Sequence, residues 1–217
     1  MNILLLGAPG SGKGSQSEQI LKDFGYVQIS TGDLLRDSLS RKTPDGLLAG
    51  EYMGKGELVP DDLVIEILRE RLNRPDCMKG VIFDGFPRTV IQAEKLDAIL
   101  EEKGEKLDFV LNIESPFNVL ISRLLSRRVC SSCGKTYNMI SNPPSGNKCS
   151  QCGGEVISRA DDREDVIKNR LEVYTQNTLP LVRYFEGKNI LISINGDRTV
   201  QDIYKDVKRL IEEREKN

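Results

Sequence analysis

The opening residues pass from an apolar run to a helical repeat. Ile3–Leu6 is uninterrupted hydrophobic sequence of strand length. Lys13–Phe24 then reads as a helix, with Gly25 as its stop. The rhythm repeats along the chain. Tyr26–Ile29 reads as a short second strand, and Ser30-Thr31-Gly32-Asp33 offers caps to a helix running through about Leu39. Leu63, Val64, Ile67, Leu68 and Leu72 recur at helical spacing after Pro60 and predict a helix over Asp61–Leu72. Val81-Ile82-Phe83 is an apolar strand ending at Asp84-Gly85, Ile91–Leu100 is amphipathic, and Asp108–Ile113 is a strand. Pro116 begins a helix predicted over Phe117–Arg128, and residues 129–158 break the rhythm with Cys, Gly and Pro. A long helix from about Arg163 to Phe185, a strand Ile190–Ile194 and a helix Val200–Glu213 follow.

Strands separated by helices predict an α/β fold, a five-stranded parallel sheet flanked on both faces by helices. Ligands of such sheets bind at the carboxyl ends of the strands. Gly7, Asp84 and Gly85 lie at such ends, so they are expected to converge although they are distant in the chain.

The first of these ends carries "GAPGSGKGS", Gly7 to Ser15. Gly7, Gly12 and Lys13 fit the phosphate-loop pattern G-x-x-x-x-G-K-[ST], but Gly14 stands where a hydroxyl is usual and Ser15 comes one place late. A glycine-rich turn between strand and helix exposes backbone N–H groups, the helix N-terminus adds positive potential, and Lys13 can reach outer phosphates. The plain alternative, an ordinary tight turn, does not account for Lys13 with Gly7, Gly10 and Gly12 at these offsets. Gly14 cannot ligate Mg²⁺, so a metal travelling with a nucleotide is expected to be held mainly by phosphates and water. Asp84 is its natural outer partner, through water, and Ser15 can still bond an α-phosphate.

Composition narrows the chemistry. With 217 residues, the chain can bury one sizeable core and carry a small insertion. Its 31 Lys and Arg nearly cancel 33 Asp and Glu, a balance that argues against a nucleic-acid partner. There is no His, which removes the commonest general base and any Ser–His or Cys–His nucleophile pair. No basic n-region with a cleavage site is seen, and no apolar run approaches the roughly 20 residues that span a bilayer, so a cytoplasmic protein without membrane contact is expected.

Cys130, Cys133, Cys149 and Cys152 form a C-x₂-C-x₁₅-C-x₂-C array, and Gly134 and Gly153 follow the two pairs. That is zinc spacing. Four thiolates complete a tetrahedral site and leave no position for substrate, so the metal would be structural, a staple for a segment too small to have its own core. Disulfides, a four-thiolate iron site and a nucleic-acid-binding zinc ribbon are the alternatives. Lys135 and Lys148 are the only bases within 129–158, which is poor for tracking phosphates. Cys77 stands alone and reads as a half-buried small residue.

Several stretches together resemble one family. "GAPGSGKGS" is similar to the phosphate loop of adenylate kinases, where Lys-Gly-Thr or Lys-Gly-Ser is usual. "VIFDGFPRTVIQ", Val81 to Gln92, resembles the family's signature stretch, and "ISTGDLLR", Ile29 to Arg36, its acceptor-nucleotide segment. "GELVPDDLV" and Ser126-Arg127-Arg128-Val129, with Ser in place of the family's Gly, also have counterparts. The resemblance covers essentially the whole chain, including 129–158. It points to the subgroup with a four-cysteine lid, and so favours zinc.

The resemblance implies a P-loop nucleoside monophosphate kinase catalysing Mg·ATP + AMP ⇌ 2 ADP. It implies core segments 1–29, 60–128 and 159–217, an AMP-binding segment 30–59, and a zinc-binding lid 129–158. It places Gly10, Ser11, Gly12, Lys13, Gly14, Ser15, Arg127, Thr136, Tyr137 and Arg198 at ATP. Thr31, Arg36, Glu57, Leu58, Val59, Gly85, Phe86, Pro87, Arg88, Gln92, Arg159 and Arg170 fall at AMP. Arg36 and Arg88 would hold the acceptor phosphate, while Arg123, Arg127, Arg159 and Arg170 close around the donor phosphates and the transferred group.

The chemistry suits a chain without His. The acceptor is a phosphate oxygen already ionised near neutral pH, so no base is needed; the task is to gather polyanions and spread charge over the group in flight. Arginine forks suit that task. Arg123 and Arg127, four apart, are expected on one helix face. Gln92 has an amide able to donate and accept at a purine edge. Water is a competing acceptor, so segments 30–59 and 129–158 are expected to close only over bound substrates. A monomer is expected, since closure needs these segments free. The alternatives are a kinase for another monophosphate or with GTP as donor and, in a different class, a zinc-ribbon protein acting on nucleic acid.

Overall fold

A computed structural model of the chain describes residues 1–216. Its main sheet is formed by β1 (Asn2–Leu6), β2 (Val27–Ser30), β3 (Val81–Asp84), β4 (Phe109–Glu114) and, after a small second sheet, β8 (Leu191–Asn195). The order across the sheet is β2-β3-β1-β4-β8 and all pairings are parallel. The helices are α1 (Lys13–Phe24), α2 (Thr31–Ser40), α3 (Pro44–Lys55), α4 (Asp61–Leu72), α5 (Val90–Glu102), α6 (Phe117–Leu125), α7 (Glu164–Val173), α8 (Pro180–Gly187) and α9 (Val200–Glu215). Antiparallel β5 (Arg127–Cys130), β6 (Thr136–Asn138) and β7 (Val156–Ile157) make the second sheet, in the order β6-β5-β7.

The strands read as continuous apolar runs because both faces of the sheet are buried. Leu4, Leu6, Phe83 and Val110 point to one core, shared with Leu68, Leu96 and Phe185 of α4, α5 and α8. Ile3, Leu5, Ile82, Phe109 and Leu111 point to the other, shared with Ile20 of α1 and Val207 and Ile211 of α9. Each such side chain contributes about 1.5–3 kcal/mol on burial. This packing fixes the carboxyl end of β1 beside that of β3, where Leu5 is in register with Asp84.

Four elements differ from the sequence reading. The helix predicted to Arg128 ends at Leu125. Ser126 turns its hydroxyl back onto the Ser122 carbonyl at 2.7 Å, and Arg127 opens β5 opposite Asn138. Arg123 and Arg127 therefore do not share a helix face. The long helix predicted over 163–185 is interrupted by a π turn, Tyr174–Thr178. Pro180 explains it: proline offers no N–H and its ring crowds the carbonyl four residues back, so the backbone widens to a Leu179 N–H to Tyr174 carbonyl bond of 2.9 Å.

Helix α3 has no counterpart in the sequence reading, because Gly46, Gly50 and Gly54 weaken its helical signal. Thr43 caps it by accepting from Gly46 N–H at 3.0 Å, and Pro44 takes the first position. Gly46 is needed for contact with α2, since a Cβ there would lie 2.2 Å from the Ser38 carbonyl carbon. The three-stranded sheet within 127–157 was also unforeseen. Among the described residues, no helix is long and apolar enough to cross a membrane.

Candidate active site

The loop between β1 and α1 wraps the start of the helix. Gly7, Gly10 and Gly12 have φ of 143°, 85° and 103°, and a Cβ on Gly7 would lie 2.5 Å from the Ile113 carbonyl oxygen. No side chain caps α1, so its first N–H groups face the loop's hollow. Ser11 is buried there and its Oγ has no partner among the described residues. Such an orphaned hydroxyl and an uncapped helix end fit a phosphate. Gly14 and Ser15 lie exposed on the first turn. Lys13 Nζ donates to the carbonyls of Gly7 at 2.6 Å and Ala8 at 3.0 Å. Burial pushes its pKa down to about 8, against the pull of Asp84 and helped by Arg88, Arg170 and Arg127. Burial raises the Asp84 carboxyl despite Lys13, and Gln28 donates to it at 3.0 Å.

Beside the loop lies a cleft, open to solvent, between α2, α3, α4 and the start of α5. Thr31, Arg36, Glu57, Leu58, Val59, Gly85, Arg88, Gln92 and Arg170 line it, as do Gly32, Leu35, Met53, Val64 and Asp161, which sequence reasoning did not single out. Thr31 Oγ1 and Arg88 Nε both donate to the Gly85 carbonyl, at 2.9 and 2.8 Å. Thr178 of the π turn donates to the Arg88 carbonyl at 2.9 Å. Phe86 does not face the cleft; it is buried in the core beneath it, and Pro87 follows it in the loop.

The cations converge on the space between loop and cleft. Arg127 makes a two-pronged contact with Asp162, at 2.7 and 2.5 Å, and Arg170 reaches Asp162 at 3.2 Å and Asp161 at 3.0 Å. Arg159 lies 3.3 Å from Asp161, and Arg36 pairs with Asp33. Burial lowers Arg159 and Arg170 to about 10, and Arg127 beside them adds to the shift. Burial would raise Asp161, but Arg159, Arg170, Arg127 and Arg36 outweigh it and hold it at about 2. Asp161 and Asp162 were missed in the sequence, although an acidic pair set between Arg159 and Arg163 is the signal they leave. Without counter-charges, so many buried guanidinium groups would repel one another.

Two predicted cations stand apart. Arg123 donates to the Gly196 carbonyl at 2.9 Å and Ser115 Oγ at 3.3 Å. Arg198 pairs with Asp206 at 2.7 Å and donates to the Asn195 carbonyl at 3.3 Å. Both guanidinium groups thus meet the backbone at the end of β8, Arg123 reaching it from α6, beside an open cleft lined by Ser115, Pro116, Ser193 and Asn195.

In the lid, all four sulfurs of Cys130, Cys133, Cys149 and Cys152 lie within 4.8 Å of one another. Cys130 and Cys152 are 3.5 Å apart and Cys133 and Cys149 3.6 Å, with no disulfide. A tetrahedral tetrathiolate with metal–sulfur bonds of about 2.3 Å has edges of about 3.8 Å. Backbone N–H groups of Ser132 and Gln151 point at Cys130 and Cys149 at 3.4 Å, as suits anionic sulfur. The side chain of Tyr137, a residue expected at ATP, is buried in the lid: its hydroxyl donates to Cys149 Sγ at 3.2 Å and accepts from Ser150 N–H at 2.8 Å. That bond pulls the Cys149 thiol down to about 6. Thr136, next to it, is exposed.

A phosphate loop at the central strand, a cleft beside it and cations gathered between them define a P-loop phosphotransferase. Comparison with known proteins makes this particular. The family described as Adenylate kinase matches residues 5–190. The adenylate kinase of Bacillus subtilis (strain 168) is 49% identical over 212 residues, covering 97% of this chain and 98% of its own. That of Archaeoglobus fulgidus is 46% identical over 213 residues, 98% of each chain. That of Carboxydothermus hydrogenoformans is 48% identical over 213 residues, covering 98% of this chain and 100% of its own. The chain belongs to the adenylate kinase family: it is a nucleoside monophosphate kinase that transfers phosphate between ATP and AMP.

Proposed function

We propose that the loop and cleft divide the two substrates between them, ATP phosphates on Gly10–Ser15 and Lys13, AMP in the cleft under α2 and α3. The observation that carries this reading is the convergence of Lys13, Arg88, Arg127 and Arg170, near enough for the three guanidinium groups to help lower the Lys13 amine, with Asp84 and Asp161 as the nearest counter-charges of Lys13 and Arg170. Arg36 and Arg88 hold the AMP phosphate. Arg127, Arg159 and Arg170 spread the charge of the group in flight, and Arg123 and Arg198 hold the ATP base side. Asp161 and Asp162 keep the arginine forks aimed and exchange them for phosphate oxygens when substrate arrives. No residue acts as base or nucleophile.

Mg²⁺ carried by ATP neutralises phosphate charge, and Asp84 would hold it through water. Zn²⁺ fits the four thiolates as a structural ion. Segments 30–59 and 129–158 close over AMP and ATP and exclude water.

Two-substrate kinetics of Gln92→Leu test the acceptor assignment. The apolar side chain strands the buried partners of the amide, so kcat/KM for AMP is expected to fall by about 10- to 100-fold with the KM for ATP within about twofold. Unchanged AMP kinetics would contradict it.

A further inference from the structure

Gln92 lines the acceptor cleft, yet its amide is already engaged at both ends. Its Oε1 accepts from the Arg88 backbone N–H at 2.7 Å, and its Nε2 donates to Asp61 Oδ1 at 2.6 Å. Neither partner can reverse its role: a peptide N–H only donates and a carboxylate only accepts. Turning the amide over about its last torsion would set Nε2 against an N–H and Oε1 against a carboxylate. Gln92 is only 2% exposed, so water cannot relieve those contacts. One orientation of the amide is therefore fixed.

What remains for a ligand is one N–H of Nε2 and one lone pair of Oε1, in a fixed order. Purines divide on that order. A 6-amino purine presents a donor at position 6 beside an acceptor at N1, whereas a 6-oxo purine presents an acceptor at position 6 beside an N1–H donor. An amide held one way serves one of these, and the other needs it turned over.

We infer that Asp61 is a specificity-determining positioning residue: its carboxylate locks the amide of Gln92 and so selects a 6-amino over a 6-oxo purine monophosphate. The inference rests on the reading that this cleft takes AMP. Asp61 opens α4 and does not line the cleft, so it would act on a base only through Gln92. Its part is distinct from that of the phosphate-binding arginines.

The test is the ratio of kcat/KM for AMP to that for IMP, which carries the 6-oxo edge without a 2-amino group, in the full chain and in Asp61→Asn. Asparagine keeps the shape but accepts either orientation of Gln92, removing one side of the lock. The ratio is expected to fall by about fivefold or more, through loss with AMP and gain with IMP together. Asp61→Ala removes the acceptor without supplying a donor and is expected to move the ratio the same way, which decides the matter should the asparagine variant not fold. A ratio shifted by less than about fivefold in the folded variants, including equal losses with both substrates, overturns the inference. No preference for AMP over IMP in the unaltered chain would instead overturn the acceptor assignment beneath it.

Discussion

Lys13→Met is expected to lower kcat by about 10³-fold while the protein melts no earlier than the unaltered chain at pH 7. The catalytic loss follows from position. Lys13 is the loop's only side-chain cation, its Nζ bound to the Gly7 and Ala8 carbonyls. One preorganised donor to developing charge is worth about 2.7–4 kcal/mol in a water-poor site. The stability expectation follows from sign. Burial lowers the folded-state pKa to about 8, below the ordinary 10.5. The unfolded chain therefore holds the proton more tightly, and a penalty on folding is fully present below pH 8 and fades as pH rises toward 10.5. Methionine removes that penalty. Phosphate bound beside the amine would favour its charged form and draw the pKa back up. ATP binding above pH 8 should then take up a proton, and the KM for ATP should rise between pH 8 and 10. A kcat within tenfold of the unaltered value, or a KM for ATP flat to pH 10, would contradict this role.

Stripping the metal from the lid is expected to be the largest single loss of stability. The buried apolar cluster there contains little beyond Tyr137 and Val156 around Cys130 and Cys149. Strand β7 is only two residues long. Such a segment cannot order itself by burial alone, and structural zinc supplies about 10–16 kcal/mol of binding energy in isolated fingers. If about 3 kcal/mol of that reaches the whole chain, the melting midpoint falls by roughly 6–12 °C. Chelated protein and Cys149→Ser should both show it, with amide exchange quickening in β5 and β6 while the main sheet stays protected. Elemental analysis should find about one zinc per chain. Metal-free protein melting with the native form would refute the staple.

What could be read in the sequence was what lies close together in it. The phosphate loop and the stretch from Val81 to Gln92 each carry their chemistry within a dozen residues, and the cysteines declare theirs by the repeated C-x₂-C spacing. The parallel sheet was legible because strands buried on both faces leave unbroken apolar runs. Pairings across the fold were not legible. Nothing near Gln92 announces that Asp61, 31 residues earlier, holds its amide. Nothing near Arg127 announces Asp162. Nothing near Tyr137 announces that its hydroxyl meets Cys149, 12 residues later. Glycines hid α3, since they read as loop until their close packing on α2 is seen.

The central claim is that this site moves phosphate from ATP to a monophosphate chosen by its base. The most direct test is phosphoryl transfer by the purified chain with Mg·ATP, offering AMP, CMP, UMP and GMP separately. Strong turnover with AMP, two ADP formed per event, and rates at least about 100-fold lower with the others are predicted. Faster turnover with another monophosphate, or ATP hydrolysis with no transfer to any of them, would contradict the account.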